Sequence, residues 1–159
     1  MSESGATSSE LTRHINEICS RLSALTDASS AMESMPAIHD DHSKIAEKYR
    51  DLVAAMRDPV RSPERAKLFE GLIAFIALHF AVENALMKSV GYPQRSAHAE
   101  QHASFIANAS ARSSQVKRGE LTIEELVLYV GHWLVGHVLL ADKLFEEFLT
   151  GISDDQSGA

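Results

Sequence analysis

Apolar residues recur at spacings of three and four along most of the chain, which is the period of an amphipathic helix. No segment of the sequence shows the strict alternation of a half-buried strand. The first periodic run is shorter than a firm coiled coil needs, and consists of Leu11, Ile15, Ile18, Leu22 and Leu25. We expect a short helix here. Its apolar seam would pack on its own chain, or residues 11–25 would contact a second copy in a weak homodimer or a signalling partner.

Four longer periodic stretches follow and are separated by short turns. They predict helices over about 38–56, 63–90, 94–116 and 122–149. Four long helices with short connections predict an all-α protein, an antiparallel up-down-up-down four-helix bundle with an additional N-terminal helix. The chain then divides into an N-terminal extension, the four-helix bundle and a polar tail, over 1–31, 32–150 and 151–159.

The ends of these helices carry start and stop signals. Ser62 can cap the second bundle helix, with Pro63 in its first turn. Gly91 can adopt the positive φ that ends the same helix. Thr122 and Glu125 have the spacing of a capping box at the start of the last helix.

Composition excludes several classes of protein. The chain has 159 residues, 45% of them hydrophobic, and a formal net charge of -7 without a long basic cluster, which argues against a nucleic-acid partner. Cys19 is the only cysteine, so neither an internal disulfide nor a thiolate metal cluster is expected. No uninterrupted apolar run has the ~20 residues of a membrane span, and the first residues do not resemble a secretory signal. We therefore expect a cytoplasmic protein without a membrane partner.

Two polar residues interrupt the most apolar helix. His79 and Glu83 are four residues apart, so both side chains leave the same helix face. A buried carboxylate without a partner loses several kcal/mol of solvation or takes up a proton. A private hydrogen bond between the two side chains would satisfy them, and so would a metal ion.

The other predicted bundle helices carry similar residues. His42 lies on the first, His98 and His102 share one face of the third, and His137 and Asp142 lie in an apolar part of the fourth. Contributions from all four helices favour a metal site in the bundle core. The spacing of five between His137 and Asp142 turns them about 140° apart on an α-helix. Both can reach one centre only if the helix axis passes close by or a π-bulge closes the angle.

The ligand types narrow the choice of metal. The chain has no His-Glu-x-x-His, which argues against a familiar zinc arrangement, and no Glu-x-x-His, which argues against a ferritin-like di-iron bundle. A site rich in imidazole suits iron, zinc or copper better than magnesium or calcium. Five imidazoles, two bridging carboxylates and one bridging oxygen would fill all but one of the positions of two six-coordinate metals.

The sequence resembles the hemerythrin family, specifically its bacterial members, over about residues 38–148. The resemblance rests on the first ligand position at His42, the "HFAVE" segment, the "GYP" turn, the paired histidines of "HAEQH" and the "WLVGHVLLAD" run. It implies a cofactor of two iron ions with an oxo or hydroxo bridge. The implied metal ligands are His98, His102 and His137 on one iron, His42 and His79 on the other iron, which keeps the open position, and Glu83 and Asp142 as bridges.

The resemblance also implies an apolar O2 pocket around the open iron, formed by Ile45, Phe80, Trp133, Leu134 and Val138. Three positions depart from the family pattern. His39 and His132 stand where acidic residues are usual, and Phe145 stands where tyrosine is frequent. These residues could alter the hydrogen bonds around the metals, and His39 or His132 could supply protons if either side chain reached inward.

Three functions compete at this point. The resemblance and the apolar pocket favour reversible O2 binding, for carriage, storage or delivery, in a protein that is not an enzyme. The second is an oxygen- or redox-sensing module that acts through a partner. The third is a di-iron enzyme that reduces peroxide or nitric oxide.

Overall fold

The computed structural model describes the backbone of residues 8–27 and 36–157 and the side chains of residues 9–24 and 41–152. Throughout this part of the chain the regular structure is helical, which confirms the all-α prediction. The six α-helices are α1 (Ser8–Asp27), α2 (Pro36–Arg57), α3 (Arg65–Ser89), α4 (Arg95–Lys117), α5 (Ile123–His137) and α6 (Lys143–Ser157). A 3-10 segment, Pro59–Glu64, precedes α3, and a π-helical segment, Val138–Asp142, joins α5 to α6.

The bundle consists of α2, α3, α4 and the continuous α5–π–α6 helix. Helices that follow one another along the chain pack together, and α5 also packs against α2, which closes the bundle. Short connections between neighbours make the packing antiparallel. The predicted turn signals are confirmed at two of the connections. Gly91 has a φ of 68°, and Thr122 and Glu125 form a complete capping box.

The prediction that Ser62 caps α3 is wrong. Residues 59–64 form a 3-10 turn that runs directly into α3, and the Arg65 N–H donates to the Ser62 carbonyl. The start of α3 therefore needs no side-chain cap. Asp58 caps the turn instead, since its carboxylate accepts a 3.0 Å hydrogen bond from the Val60 N–H.

The last helix is longer than its apolar pattern indicates. The helical backbone continues to Ser157, although the sequence predicts a polar tail from residue 151. Polar residues without proline can continue a helix, and the loss of apolar periodicity shows only that this end has left the core. The division of the chain at residues 31 and 150 remains a proposal.

Helix α1 packs on the bundle. Ile15, Ile18 and Leu22 are buried within the main core, and α1 contacts both α2 and α5. Leu11 is partly buried, and the side chain of Leu25 lies outside the described residues. The seam that could have served another chain is thus covered by its own chain along the described part of α1.

Two helical stretches, Pro59–Ser89 and Ile123–Ile152, have the length and apolar composition that a membrane span requires. Both also supply buried side chains to the core, for example Leu72 and Leu126. Core helices of bundles commonly have this composition, so length and hydropathy are weak evidence for a membrane.

Gly131 lets α1 and α2 approach α5 closely. A Cβ at this position would lie 2.7 Å from Ile18 Cγ2 and 2.9 Å from Tyr49 Cζ, and closer still to the Tyr49 hydroxyl. That hydroxyl is buried and donates a 3.0 Å hydrogen bond to the Val127 carbonyl. Any larger residue at 131 would push the Tyr49 ring away from this bond.

We expect Gly131→Ala to lower the free energy of unfolding by roughly 1–3 kcal/mol, because the added methyl overpacks a filled contact. Gly71→Ala is the matched control, since Gly71 is exposed on α3 and a Cβ there meets nothing within 4 Å. The control should be neutral or up to about 1 kcal/mol more stable. Urea unfolding of both variants measures the difference, and equal stabilities would contradict this account of α1 packing.

Candidate metal centre

The structure brings together all seven side chains predicted as metal ligands. They form two groups that share Glu83, and within each group the potential ligand atoms all lie within 4.8 Å of one another. The larger group contains Glu83, His98, His102, His137 and Asp142, and the smaller contains His42, His79 and Glu83. Six of the seven residues are buried, and His42 is partly buried.

The π-helical segment places Asp142 in this cluster. A π-helix closes i→i+5 hydrogen bonds, so residues five apart lie about one turn apart. His137 Nε2 and Asp142 Oδ1 are 3.0 Å apart as a result. Of the two explanations that the spacing allowed, the π-bulge is the one observed.

Each carboxylate directs one oxygen at each group of histidines. Oε1 of Glu83 lies 2.7 Å from His98 Nε2, while Oε2 lies 3.2 Å from His79 Nε2. Oδ1 of Asp142 lies 3.1 Å from His98 Nε2, while Oδ2 lies 3.3 Å from His42 Nε2. The two carboxylates therefore connect a three-histidine half of the cluster with a two-histidine half.

Several ligand atoms lack hydrogen-bond partners within the described part of the chain. They are His42 Nε2, Glu83 Oε1, His98 Nε2 and Asp142 Oδ1, and all four atoms are buried. Buried polar atoms without partners are costly. The Nε2 atoms of His102 and His137 also face each other at 2.9 Å. Imidazole nitrogens and carboxylate oxygens that converge in this way fit a metal site.

Electrostatics in the cluster favour charged carboxylates. Burial and the Asp142 charge raise the pKa of Glu83, but close contacts with the imidazoles of His102, His79 and His98 outweigh them and lower it to about 2. Burial raises the pKa of Asp142, yet close contacts with the imidazoles of His137, His42 and His98 hold it well below its ordinary value.

The pKa values of the histidines shift in different directions. Burial lowers the pKa of His98, but close contacts with the carboxylates of Asp142 and Glu83 raise it to about 9. Burial lowers the pKa of His102 more than its neighbours raise it. A metal cation would replace the proton that His98 holds and would neutralise the same two carboxylates.

Two residues outside the predicted set orient the ligands. Nδ1 of His79 lies 3.0 Å from Asp41 Oδ2, and Nδ1 of His102 lies 2.9 Å from Asn84 Oδ1. An Nδ1–H that donates to such an oxygen leaves Nε2 free to face the site. The sequence analysis missed both residues, although Asp41 directly precedes His42 and Asn84 directly follows Glu83.

The predicted pocket residues divide between two environments. Ile45 and Leu134 are buried in the main core. The Phe80 ring is also buried and stacks on His102 at 3.8 Å between ring centroids, and the partly exposed Trp133 stacks on His137 at 4.4 Å. Val138 is partly buried in the π segment. Phe80 and Trp133 therefore contact histidines of the three-histidine half, whereas the resemblance implied a position beside the other iron.

The three departures from the family pattern have different locations. The side chain of His39 lies outside the described residues. His132 is exposed, and its ring centroid lies 6.5 Å from that of His14 on α1, so it does not reach into the cluster. Phe145 is buried, packs on Tyr92 and meets the His98 ring edge-on at 6.4 Å.

Known proteins similar to this chain are hemerythrins. A bacteriohemerythrin of Methylococcus capsulatus is 25% identical over 99 residues, which are 60% of this chain and 76% of the relative. A bacteriohemerythrin of Pseudomonas aeruginosa is 29% identical over 104 residues, 64% of this chain and 65% of the relative. A myohemerythrin of Theromyzon tessulatum is 27% identical over 97 residues, 61% of this chain and 76% of the relative.

No family profile and no solved structure matches the chain significantly. The similarity to several bacteriohemerythrins and a myohemerythrin covers between 60% and 69% of the chain. The helical architecture and the buried cluster of five histidines and two carboxylates agree with that similarity. These matches support membership of the hemerythrin family.

Proposed function

We propose that the cluster holds two iron ions and binds O2 reversibly, for carriage, storage or delivery of oxygen. The arrangement of Glu83 and Asp142 carries this proposal, because each carboxylate offers one oxygen to each half of the cluster. A single metal would leave one of those halves unused. Bound iron would supply the redox chemistry on which reversible O2 binding depends.

The two halves would hold the irons unequally. His98, His102 and His137 would bind one iron, and His42 and His79 would bind the other, with Glu83 and Asp142 shared between them. The second iron would have one imidazole fewer, which leaves a position for O2. The grouping of these side chains in the structure and the resemblance to hemerythrins both support this division.

Apolar side chains would keep water from the bound gas. Ile45, Phe80 and Leu134 are buried in the main core, where Phe80 stacks on His102, and none of them has a group that donates or accepts a proton. This environment favours binding over the reduction of peroxide or nitric oxide, which consumes protons.

His132 is exposed and gives no support to the enzymatic alternative. Sensing through the apolar seam of α1 has equally little support, since its described side chains are buried on the bundle. We place this activity in the cytoplasm.

We expect purified protein loaded with ferrous iron to contain about two irons per chain, the number that the two groups of ligands can hold. Glu83→Ala removes an oxygen from both halves and should sharply reduce bound iron. Glu100→Ala, an exposed change on α4, is the control and should bind as the wild type does. Elemental analysis measures the metal, and a wild type that takes up zinc but no iron would refute the di-iron proposal.

The water-excluding role of Leu134 can be tested kinetically. Leu134→Ala should cost roughly 2–5 kcal/mol of stability. It should also make the reduced, iron-loaded protein oxidise irreversibly faster in air, because water gains access to the bound gas, while the iron content stays the same. Leu78→Ala is the control, since Leu78 is 64% exposed on α3. Visible spectra recorded through cycles of O2 addition and removal give the rate of irreversible oxidation of each variant. Equal rates in the two variants would contradict a shielding role.

The carboxylate of Asp41 should act through His79. Asp41→Ala removes the acceptor that faces His79 Nδ1, and loss of such a partner typically weakens metal binding by about 10–100-fold. Asp51→Ala is the control, because Asp51 pairs with Arg61 far from the cluster. Competition with a chromophoric chelator measures the affinity. Equal affinities in the two variants would show that Asp41 does not orient the ligand.

A further inference from the structure

An open cleft reaches the three-histidine half of the cluster from the surface. It has a volume of about 450 Å³ and lies between α4 and the α5–π–α6 helix. His98 and His137 are part of its lining, whereas Glu83 and His102 are not. A solute in the cleft would therefore meet the rings of His98 and His137 before any other candidate ligand.

The lining of the cleft near these histidines includes a side chain that is largely exposed to solvent. Leu140 belongs to both the cleft and the π segment and is 71% exposed, so nothing in the described chain packs on its outer side. Regions with few buried apolar contacts open locally at low cost in free energy. His98 and His137 are only 3% and 7% exposed, so a small opening of this wall would be enough to uncover them.

One exposed imidazole lines the cleft, and a second imidazole lies beside it. His132 on α5 is exposed and lines the cleft, and the His14 ring on α1 lies 6.5 Å from it between centroids. Neutral imidazole is the commonest metal ligand among side chains. Neighbouring histidine rings within the cluster are closer, at 4.6 to 4.9 Å. The wider pair suits brief capture of a metal ion better than permanent binding.

We propose that His14 and His132 capture a divalent metal ion and that the cleft conducts it to His98 and His137. Gln94, Gln101 and Ser104 line the same cleft and offer oxygen ligands along the way. The proposal rests on the proposed function, in which the cluster holds metal. It gives a role to His132, whose exposed position excludes it from the hydrogen bonds of the cluster.

The test uses full-length protein stripped of metal and mixed with Co²⁺, whose visible bands report occupancy of the site. Ala97→Trp places an indole in the cleft, and Ala103→Trp places one on the exposed part of α4 outside the cleft. Ala97→Trp should slow uptake and chelator-driven loss about tenfold, equivalent to ~1.4 kcal/mol of added barrier. The final metal content should not change, and Ala103→Trp should behave as the wild type does.

His14→Ala and His132→Ala, made singly and together, test capture without filling the cleft. Each should slow uptake at low Co²⁺ concentration and leave the final occupancy unchanged. Wild-type rates in Ala97→Trp and in the double histidine variant would overturn the proposed route, as would equal slowing by Ala97→Trp and Ala103→Trp. A wild type that binds no Co²⁺ or Fe²⁺ at any concentration would instead refute the metal site itself.

Discussion

Two carboxylates buried at the centre of a helical bundle impose the main constraint on this structure. Glu83 is 1% exposed and Asp142 is 5% exposed, and an unpaired charge in such a place costs several kcal/mol. Imidazoles surround both groups, and their close contacts lower the carboxylate pKa values. Positive charge must therefore enter the core, either as protons on histidines such as His98 or as bound metal. The histidine ligands meet this requirement for positive charge, and the requirement arises because the site is buried.

The helices meet the constraint by delivering ligands to one level of the bundle. α-Helical spacing is sufficient for His79 with Glu83 and for His98 with His102, since residues four apart share a face. It is not sufficient for His137 with Asp142, and the chain changes to a π-helix at that point. The position of α5 also depends on Gly131, where Ile18 and Tyr49 pack directly against the helix backbone. The packing of α1 thus helps to set where His137 enters the site.

Much of this could be predicted from the sequence because it depends on local patterns. The helices follow from apolar periodicity, the capping box from Thr122 and Glu125, and the alternative of a π-bulge from the five-residue spacing. The contacts of Asp41 and Asn84 could not be predicted in the same way, since they depend on how neighbouring helices are rotated. Trp133 likewise faces His137 because both lie on one side of α5, one turn apart. The Ser62 cap failed because a 3-10 turn already satisfies the first N–H groups of α3.

The two halves of the cluster differ in their surroundings as well as in their ligands. Ile45 and Leu134 belong to a continuous buried core, and a dry environment strengthens electrostatic interactions and excludes water. His98 and His137 instead border a cleft with polar side chains. If the cluster holds metal and binds O2 as proposed, its needs conflict, because a path wide enough for hydrated ions would also admit water to bound O2. In the proposed division, the buried core that contains Ile45 and Leu134 would keep water from the gas, while the cleft beside His98 and His137 would serve metal exchange, and Glu83 and Asp142 would connect the two halves of the cluster.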